Sequence, residues 1–149
     1  MRVAIGCDHS GVEFKEKIKA YLVASFKATI TDVGTHTNDS VDYPDYGKKV
    51  GELVSSGAVD TGIVICGTGI GISIAANKIS GVRAALCHNV YTAMMARQHN
   101  DANVLALGAR TTAIETAYAI VNTFFSTPFE GGRHQARVEK LSAMTEFNK

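Results

Sequence analysis

Five short runs of apolar, largely β-branched residues alternate along the chain with longer stretches whose apolar residues recur at helical spacing, a turn separating each pair. Strands joined in this way need helical crossovers, so the pattern predicts a parallel sheet. The expected strands are 2–6, 28–33, 61–66, 82–86 and 103–107. The runs show little polar alternation, which predicts burial on both faces beneath two layers of helices. Ser10-Gly11-Val12-Glu13 has capping-box spacing and is expected to open a first helix carrying Val12, Ile18, Leu22 and Phe26. Further helices are expected at about 45–56, 71–80, 90–99, 112–125 and 133–146, with Gly57, Gly81 and Gly108 as punctuation and the two prolines, Pro44 and Pro128, at turns. The fold class is thus α/β, a Rossmann-like three-layer sandwich with a five-stranded parallel sheet.

The chain has 149 residues, 46% of them hydrophobic, and no repeat or linker, which points to one domain over 1–149 that buries ~70% of its unfolded surface. Fifteen Lys+Arg against fourteen Asp+Glu leave no basic footprint for nucleic acid, so a bound anion must be met by local charge. No apolar run approaches the ~20 residues that cross a bilayer, and the first twenty residues turn charged early, which predicts neither membrane insertion nor export. Cys7, Cys66 and Cys87 are odd in number and lack metal-ligand spacing, as expected of a reducing cytoplasmic setting without a disulfide framework or metal site.

Ligands of open α/β sheets bind beyond the carboxyl ends of the strands, where loops converge and helix N-termini point inward. The loops there are Cys7-Asp8-His9, Cys66-Gly67-Thr68-Gly69-Ile70-Gly71, Cys87-His88 and Gly108-Ala109-Arg110. The glycine loop can form an anion nest for a phosphate or an oxyanion, or can be a tight turn that lets helix and strand pack closely. Its G-x-G-x-G spacing matches neither a dinucleotide fingerprint nor a Walker loop. Cys66, just before it, is either a thiolate base or nucleophile or a small buried hydrophobe. His99, in the turn His99-Asn100-Asp101, is a general acid and base or a helix C-terminal histidine stabilised by the dipole. Arg133 and Arg137 share a helix face and suit a phosphate, or else pair with Glu130 or Glu139 on a solvated surface. Asp8 and His9 bind sugar hydroxyls and phosphate, or form the polar turn that starts the first helix.

Taken together, Gly6-Cys7-Asp8-His9-Ser10-Gly11, Asp42-Tyr43-Pro44, the segment from Ile65 to Lys78, Arg97-Gln98-His99-Asn100-Asp101 and Glu130-Gly131-Gly132-Arg133-His134 resemble the type B ribose-5-phosphate isomerases over nearly the whole chain. The wider family includes galactose-6-phosphate and allose-6-phosphate isomerases. The resemblance implies a homodimer or dimer of dimers with active sites shared between subunits, no metal and no organic cofactor. It implies interconversion of ribose 5-phosphate and ribulose 5-phosphate through an enediolate, in the non-oxidative branch of the pentose phosphate pathway. On this resemblance Cys66 is the base, and Gly67, Gly69, Ile70 and Gly71 form the oxyanion loop. His99, aided by Thr68, opens the sugar ring. His9, Arg110, Arg133 and Arg137 hold the phosphate, the last two from the neighbouring subunit, to which the helix at about 133–146 reaches; Asp8, Tyr43 and Asn100 contact sugar hydroxyls. One branch of the family uses a glutamate on the helix after the glycine loop. Here that helix reads Ile72-Ser73-Ile74-Ala75-Ala76, without a carboxylate, which implies the cysteine branch. A phosphate- or nucleotide-binding module without catalysis and a thiol redox protein are the alternatives from other classes, the second weakened by the absence of a C-x-x-C pair.

Overall fold

The computed structural model describes residues 1–144; the end of the last helix, expected near 146, lies outside the described residues. Five parallel strands, β1 (Arg2–Cys7), β2 (Thr29–Asp32), β3 (Thr61–Cys66), β4 (Ala84–Leu86) and β5 (Val104–Gly108), stand in the order β2-β1-β3-β5-β4. Helices α1 (Val12–Phe26), α4 (Val90–Gln98) and α5 (Ile114–Ser126) enclose one face, around Ile5, Ile63, Leu105, Ile18 and Ile120. Helices α2 (Tyr43–Ser55) and α3 (Ile70–Asn77) cover the other, around Ala4, Val64, Val50 and Ile72. A last helix, α6 (Arg133–Met144), follows α5. This is the expected three-layer architecture. Burying each large aliphatic side chain of the central strands contributes about 1.5–3 kcal/mol, and β1, β3 and β5 are closed to solvent over most of their length.

Three expectations need correction. Burial on both faces holds for the three central strands, whereas β2 alternates exposed with half-buried residues and β4 is half-buried throughout, because both are edge strands with one neighbour. The capping box at Ser10 does not form. The Asp8 carboxylate accepts the Ser10 backbone N–H at 2.9 Å and the Ser10 hydroxyl at 2.5 Å, so His9–Gly11 winds as a 3-10 turn and α1 begins only at Val12. Pro44 lies within the first turn of α2, where its missing N–H costs nothing, and not in the turn before it.

The sheet's connections reverse direction between β1 and β3. The chain leaves β1 toward β2 on one side, over α1, and then returns over α2 to β3 on the other. At such a switch point the two loops diverge to opposite faces and leave a crevice between the carboxyl ends of the strands. Asp8 N–H bonds Ile65 O at 3.2 Å across that point, tying the turn after β1 to the end of β3.

Candidate active site

Cys66 ends β3 with 5% of its surface exposed, and the Gly69 N–H donates to its Sγ at 3.2 Å. The bond requires the loop to fold back on its own strand. Gly69 makes this possible with φ +77°, packed so closely that a Cβ there would lie 2.5 Å from Leu86 Cδ1 and 2.8 Å from the Leu107 carbonyl carbon. The Thr68 hydroxyl accepts from Ile70 N–H at 3.3 Å, and α3 starts at that residue. The glycine segment is therefore a tight turn that brings one backbone N–H, that of Gly69, onto the Cys66 sulfur. The other thiols are different: burial pushes Cys7 and Cys87 up to about 11, so neither supplies a thiolate near neutral pH.

Around this loop stand Asp8, His9, Tyr43 and Arg110. A Cβ on Gly67 would lie 3.4 Å from Arg110 Cδ and Nη1 and 3.6 Å from Ser10 Oγ, so the turns after β1 and β5 meet over the start of the glycine loop. Arg110 is fixed there by its N–H on Gly67 O at 2.9 Å, and Ala109 N–H holds Cys66 O at the same distance. Tyr43 lays its ring against Gly71, where a Cβ would come within 2.5 Å of Cζ. The His9 ring accepts the Val41 N–H at Nδ1, 3.2 Å away. The Asp8 side chain, 6% exposed, serves as the cap described above.

The remaining candidates lie at the other end of the sheet. His99 caps α4, and Asp101 and Ala102 lead directly into the amino end of β5. Across β3 and β5, Gly62 pairs with Val104 at that end and Cys66 with Gly108 at the carboxyl end, four strand steps or about 13 Å away. Arg133 and Arg137, on α6, belong to the same end: Glu130 N–H bonds Gln98 O at 3.1 Å and the His134 ring stacks on His99, 4.1 Å between centroids. The structure thus places Asp8, His9, Tyr43, the Cys66 loop and Arg110 at the carboxyl end of the sheet. His99, Asn100, Arg133 and Arg137 lie at the amino end, because the connections carrying them start where a helix has already brought the chain back. Both arginines are exposed, and among the described residues neither has an ion-pair partner. Glu139 bonds Gln135 and Glu130 faces His134, so the surface pairing considered for the arginines does not form.

Side chains that sequence patterns do not reveal hold this second cluster in place. Asp101 sits at φ +44°, its carboxylate between Arg97 Nη1 and Arg83 Nη2, each at 3.0 Å. Arg83 Nε also reaches the Asn100 and Asp101 carbonyls, so the turn carrying His99 and Asn100 is pinned from both sides. His134 is 4% exposed; burial, with His99 beside it, holds its imidazole below the usual histidine range. A hollow of about 390 Å³ lined by Arg83, Asn100, Leu141 and Met144 opens beside this end and does not include Cys66.

Among the described residues two groups bring possible metal ligands within 4.8 Å of one another, His99, Glu130 and His134, and Glu16, Asp32 and His36. In the first, the two imidazoles are stacked 12° from parallel, and a metal takes the lone pair in the plane of each ring, so the rings would have to separate to share one ion. In the second, the Asp32 carboxylate is already engaged by Lys15 and Lys19. Neither set is arranged as a metal centre.

Residues 3–141 match the family model described as Ribose/Galactose Isomerase. Ribose-5-phosphate isomerase B of Escherichia coli is 48% identical over 145 residues, covering 97% of each chain. The solved ribose-5-phosphate isomerase B of Clostridium thermocellum is 51% identical and superposes with a TM-score of 0.97 over all of both chains. That of Mycoplasma genitalium, solved with bound ribulose-5-phosphate, is 38% identical with a TM-score of 0.94, covering 99% of this chain and 97% of the other. The glycine loop after β3, the turn after β1 and the arginine-bearing last helix all fall within the matched span, and the chain belongs to the ribose/galactose isomerase family.

Proposed function

We propose that this protein interconverts ribose 5-phosphate and ribulose 5-phosphate through an enediolate. The carrying observation is the Cys66 sulfur, gripped by a backbone N–H at the end of a switch-point strand in a chain of this family. The Cys66 thiolate takes the proton from C2 of the open aldose and returns it to C1, while the hydroxyl proton on O2 passes to O1 and leaves the C2 ketone. The N–H groups of Gly67, Gly69, Ile70 and Gly71 receive the enediolate oxygen, and Gly69 and Ile70 keep theirs ordered on Sγ and on the Thr68 hydroxyl until then. His99, with Thr68, opens the furanose. His9, Arg110, Arg133 and Arg137 bind the phosphate, whose remote binding energy is realised at the reacting carbons. Asp8, Tyr43 and Asn100 contact the hydroxyls. No step in this scheme calls for a metal or organic cofactor.

The site needs a second copy of the chain. A separation of about 13 Å along the strands keeps His99, Arg133 and Arg137 from meeting Cys66 within one chain, whereas a two-fold arrangement brings the amino end of one sheet to the carboxyl end of the other. Exposed apolar side chains on α3 and α4, Ile70 and Ile74 at 53% and 55% and Tyr91 at 65%, offer the surface for such pairing in a homodimer or a dimer of dimers. The helix α6 then reaches the partner, and the chain acts as one domain over 1–149. Among the described residues no helix is long and apolar enough to cross a membrane; the cytoplasmic address of this enzyme is proposed from the sugar phosphate chemistry of its family.

The test is ketose formation from ribose 5-phosphate, with allose and galactose 6-phosphates assayed alongside. Turnover with the pentose and a higher kcat/KM for it than for either hexose is expected. A higher value for a hexose phosphate moves the assignment within the family, and phosphate binding without turnover would make the chain a binding module.

A further inference from the structure

We infer that Lys15 is a positioning residue for the phosphate site: its buried ammonium anchors the loop 33–42, which holds the His9 ring with Nδ1 as acceptor and Nε2 as the N–H donor. The inference rests on the proposed contact of His9 with the substrate phosphate.

Lys15 is the largest side chain in the molecule with no exposure, although it lies on α1 among residues chosen for an apolar face. Lysine is almost never fully buried unless paired. Its three N–H donors match three acceptors: Asp32 Oδ1 at 3.0 Å, Thr35 O at 2.9 Å and His36 Nδ1 at 3.4 Å. Two of the three belong to the loop after β2. Asp32 extends the same grip, taking Lys19 Nζ on Oδ2 at 2.7 Å and Gly34 N–H on Oδ1 at 3.0 Å. The segment is pressed against the lysine stem, since a Cβ on Gly34 would lie 2.7 Å from Cys7 N and 3.1 Å from Lys15 Cδ. Val33 and Thr35 N–H bond Ile5 and Cys7 carbonyls, so the loop runs on alongside β1 toward the turn that carries Asp8 and His9.

Its far end meets that turn again at Val41, whose N–H lies 3.2 Å from His9 Nδ1. A backbone amide only donates, so Nδ1 must accept, and the proton of the neutral ring then sits on Nε2. A phosphate oxygen needs a donor, and this tautomer supplies one in a fixed direction. Two residues on, the same loop delivers Tyr43 to its place against Gly71. The charge buried under α1 therefore controls how two site residues are presented, without touching either.

The experiment replaces Lys15 with Met, close in volume and without charge. Loss of the anchor should raise KM for ribose 5-phosphate and Kd for inorganic phosphate about tenfold, the worth of one ordinary hydrogen bond, while kcat stays within about threefold of wild type. Nitrogen-15 spectra of the imidazoles, with His9 assigned by its absence in His9→Gln, should show Nε2–H alone in wild type and a mixture of tautomers in Lys15→Met. Because Lys15→Met leaves the Asp32 carboxylate with one lysine fewer, the double variant K15M/D32L removes both charges of the pair. It should regain thermal stability yet keep the raised KM and the mixed tautomer, since Thr35 O still lacks its donor. Wild-type KM with a single His9 tautomer in either folded variant, or a fall in kcat at unchanged KM, overturns the inference. Failure of the phosphate reading is distinguishable: His9→Gln would then bind phosphate as wild type does, while the tautomer change in Lys15→Met would still report the anchoring.

Discussion

The two ends of the sheet are built by different means. Around the reacting atoms at the carboxyl end the working groups are backbone N–H donors and the short Cys66 side chain, set in a tight turn where Gly69 fits between Leu86 and Leu107 and the sulfur has its own donor, with His9, Tyr43 and Arg110 at its border. At the amino end they are long or aromatic side chains on helix termini, His99 and the exposed Arg133 and Arg137, steadied by the Arg83–Asp101–Arg97 cluster. Backbone geometry places a reacting atom to within fractions of an ångström, which proton transfer demands. Guanidinium arms tolerate looser placement and suit a charged handle remote from the bond being changed. The Cys66 loop of the first end is therefore expected to govern turnover, and Arg133 and Arg137 of the second to govern substrate affinity.

The largest effect should come from the carboxyl end. Cys66→Ala removes the base and is expected to lower kcat by about 10²–10⁴-fold with phosphate binding retained, while Cys7→Ala keeps its turnover. With Cys7 and Cys87 pushed up to about 11, alkylation near neutral pH should strike Cys66 first and be slowed by substrate. Peptide mapping after limited alkylation checks this; modification of Cys7 or Cys87 ahead of Cys66 would reverse the ranking of the thiols.

At the amino end, Arg133→Ala or Arg137→Ala is expected to raise KM for the phosphorylated sugar about 10- to 100-fold, the loss of a charge-assisted hydrogen bond, with a smaller change in kcat. Steady-state kinetics would break the comparison if kcat fell instead. His99→Asn should act unequally on the two directions. Ribose 5-phosphate must open its ring before C2 loses a proton, whereas ribulose 5-phosphate, its C5 oxygen phosphorylated, has no furanose to open. Initial kcat/KM should therefore fall about tenfold or more from the aldose side and less from the ketose side, as expected when one acid–base group serves only the ring step. Equal losses, together with abolished exchange of the ketose C1 proton into solvent, would move His99 into the enolisation step.

The smallest effect concerns stability. Burial, assisted by His99 and Arg133, holds folded His134 below the ordinary histidine value of ~6.5, so as pH falls through that value the unfolded chain takes up a proton the folded protein refuses. Stability should decline over that interval, and His134→Gln should flatten the decline in Tm between about pH 7 and pH 5. A pH profile identical to wild type would show that the imidazole is not shielded.

Much of this architecture was legible in the sequence because period and composition report burial. The five runs became five strands in parallel register, and the glycine-rich segment became the turn between β3 and α3. Edge position was not legible, since the order of strands depends on crossovers that skip a neighbour: β4 lies outside β5, so Ala84–Leu86 is only half-buried despite its apolar letters. Helix ends shifted where local bonds competed, as at Ser10, whose hydroxyl went to Asp8, and at Lys78 and Ile79, whose N–H groups bond three residues back and close α3 at Asn77. Within the site, the carboxyl-end residues could be found by reading the loops after strands. The placement of His99 at the opposite end follows from the expected helix 90–99 leading into the expected strand 103–107 of a parallel sheet, whereas Arg137 sits on a helix that no strand follows, and its place depends on how that helix docks. Lys15 was invisible for a different reason: a lysine on an amphipathic helix reads as solvated until its three acceptors, Asp32, Thr35 and His36, are in view.

The most direct test of the two-ended site is subunit complementation. A Cys66→Ala chain keeps an intact amino end, and an Arg137→Ala chain keeps an intact carboxyl end. In a two-fold dimer of one of each, one site combines both intact ends and the other combines both defects. After denaturation and refolding of an equimolar mixture, random pairing places one sound site in each mixed dimer, so about one quarter of wild-type activity should return at substrate concentrations well below the wild-type KM, where sites lacking Arg137 contribute little. Activity no greater than the mean of the two parent variants, in a mixture shown by native mass spectrometry to contain the mixed dimer, would contradict the account.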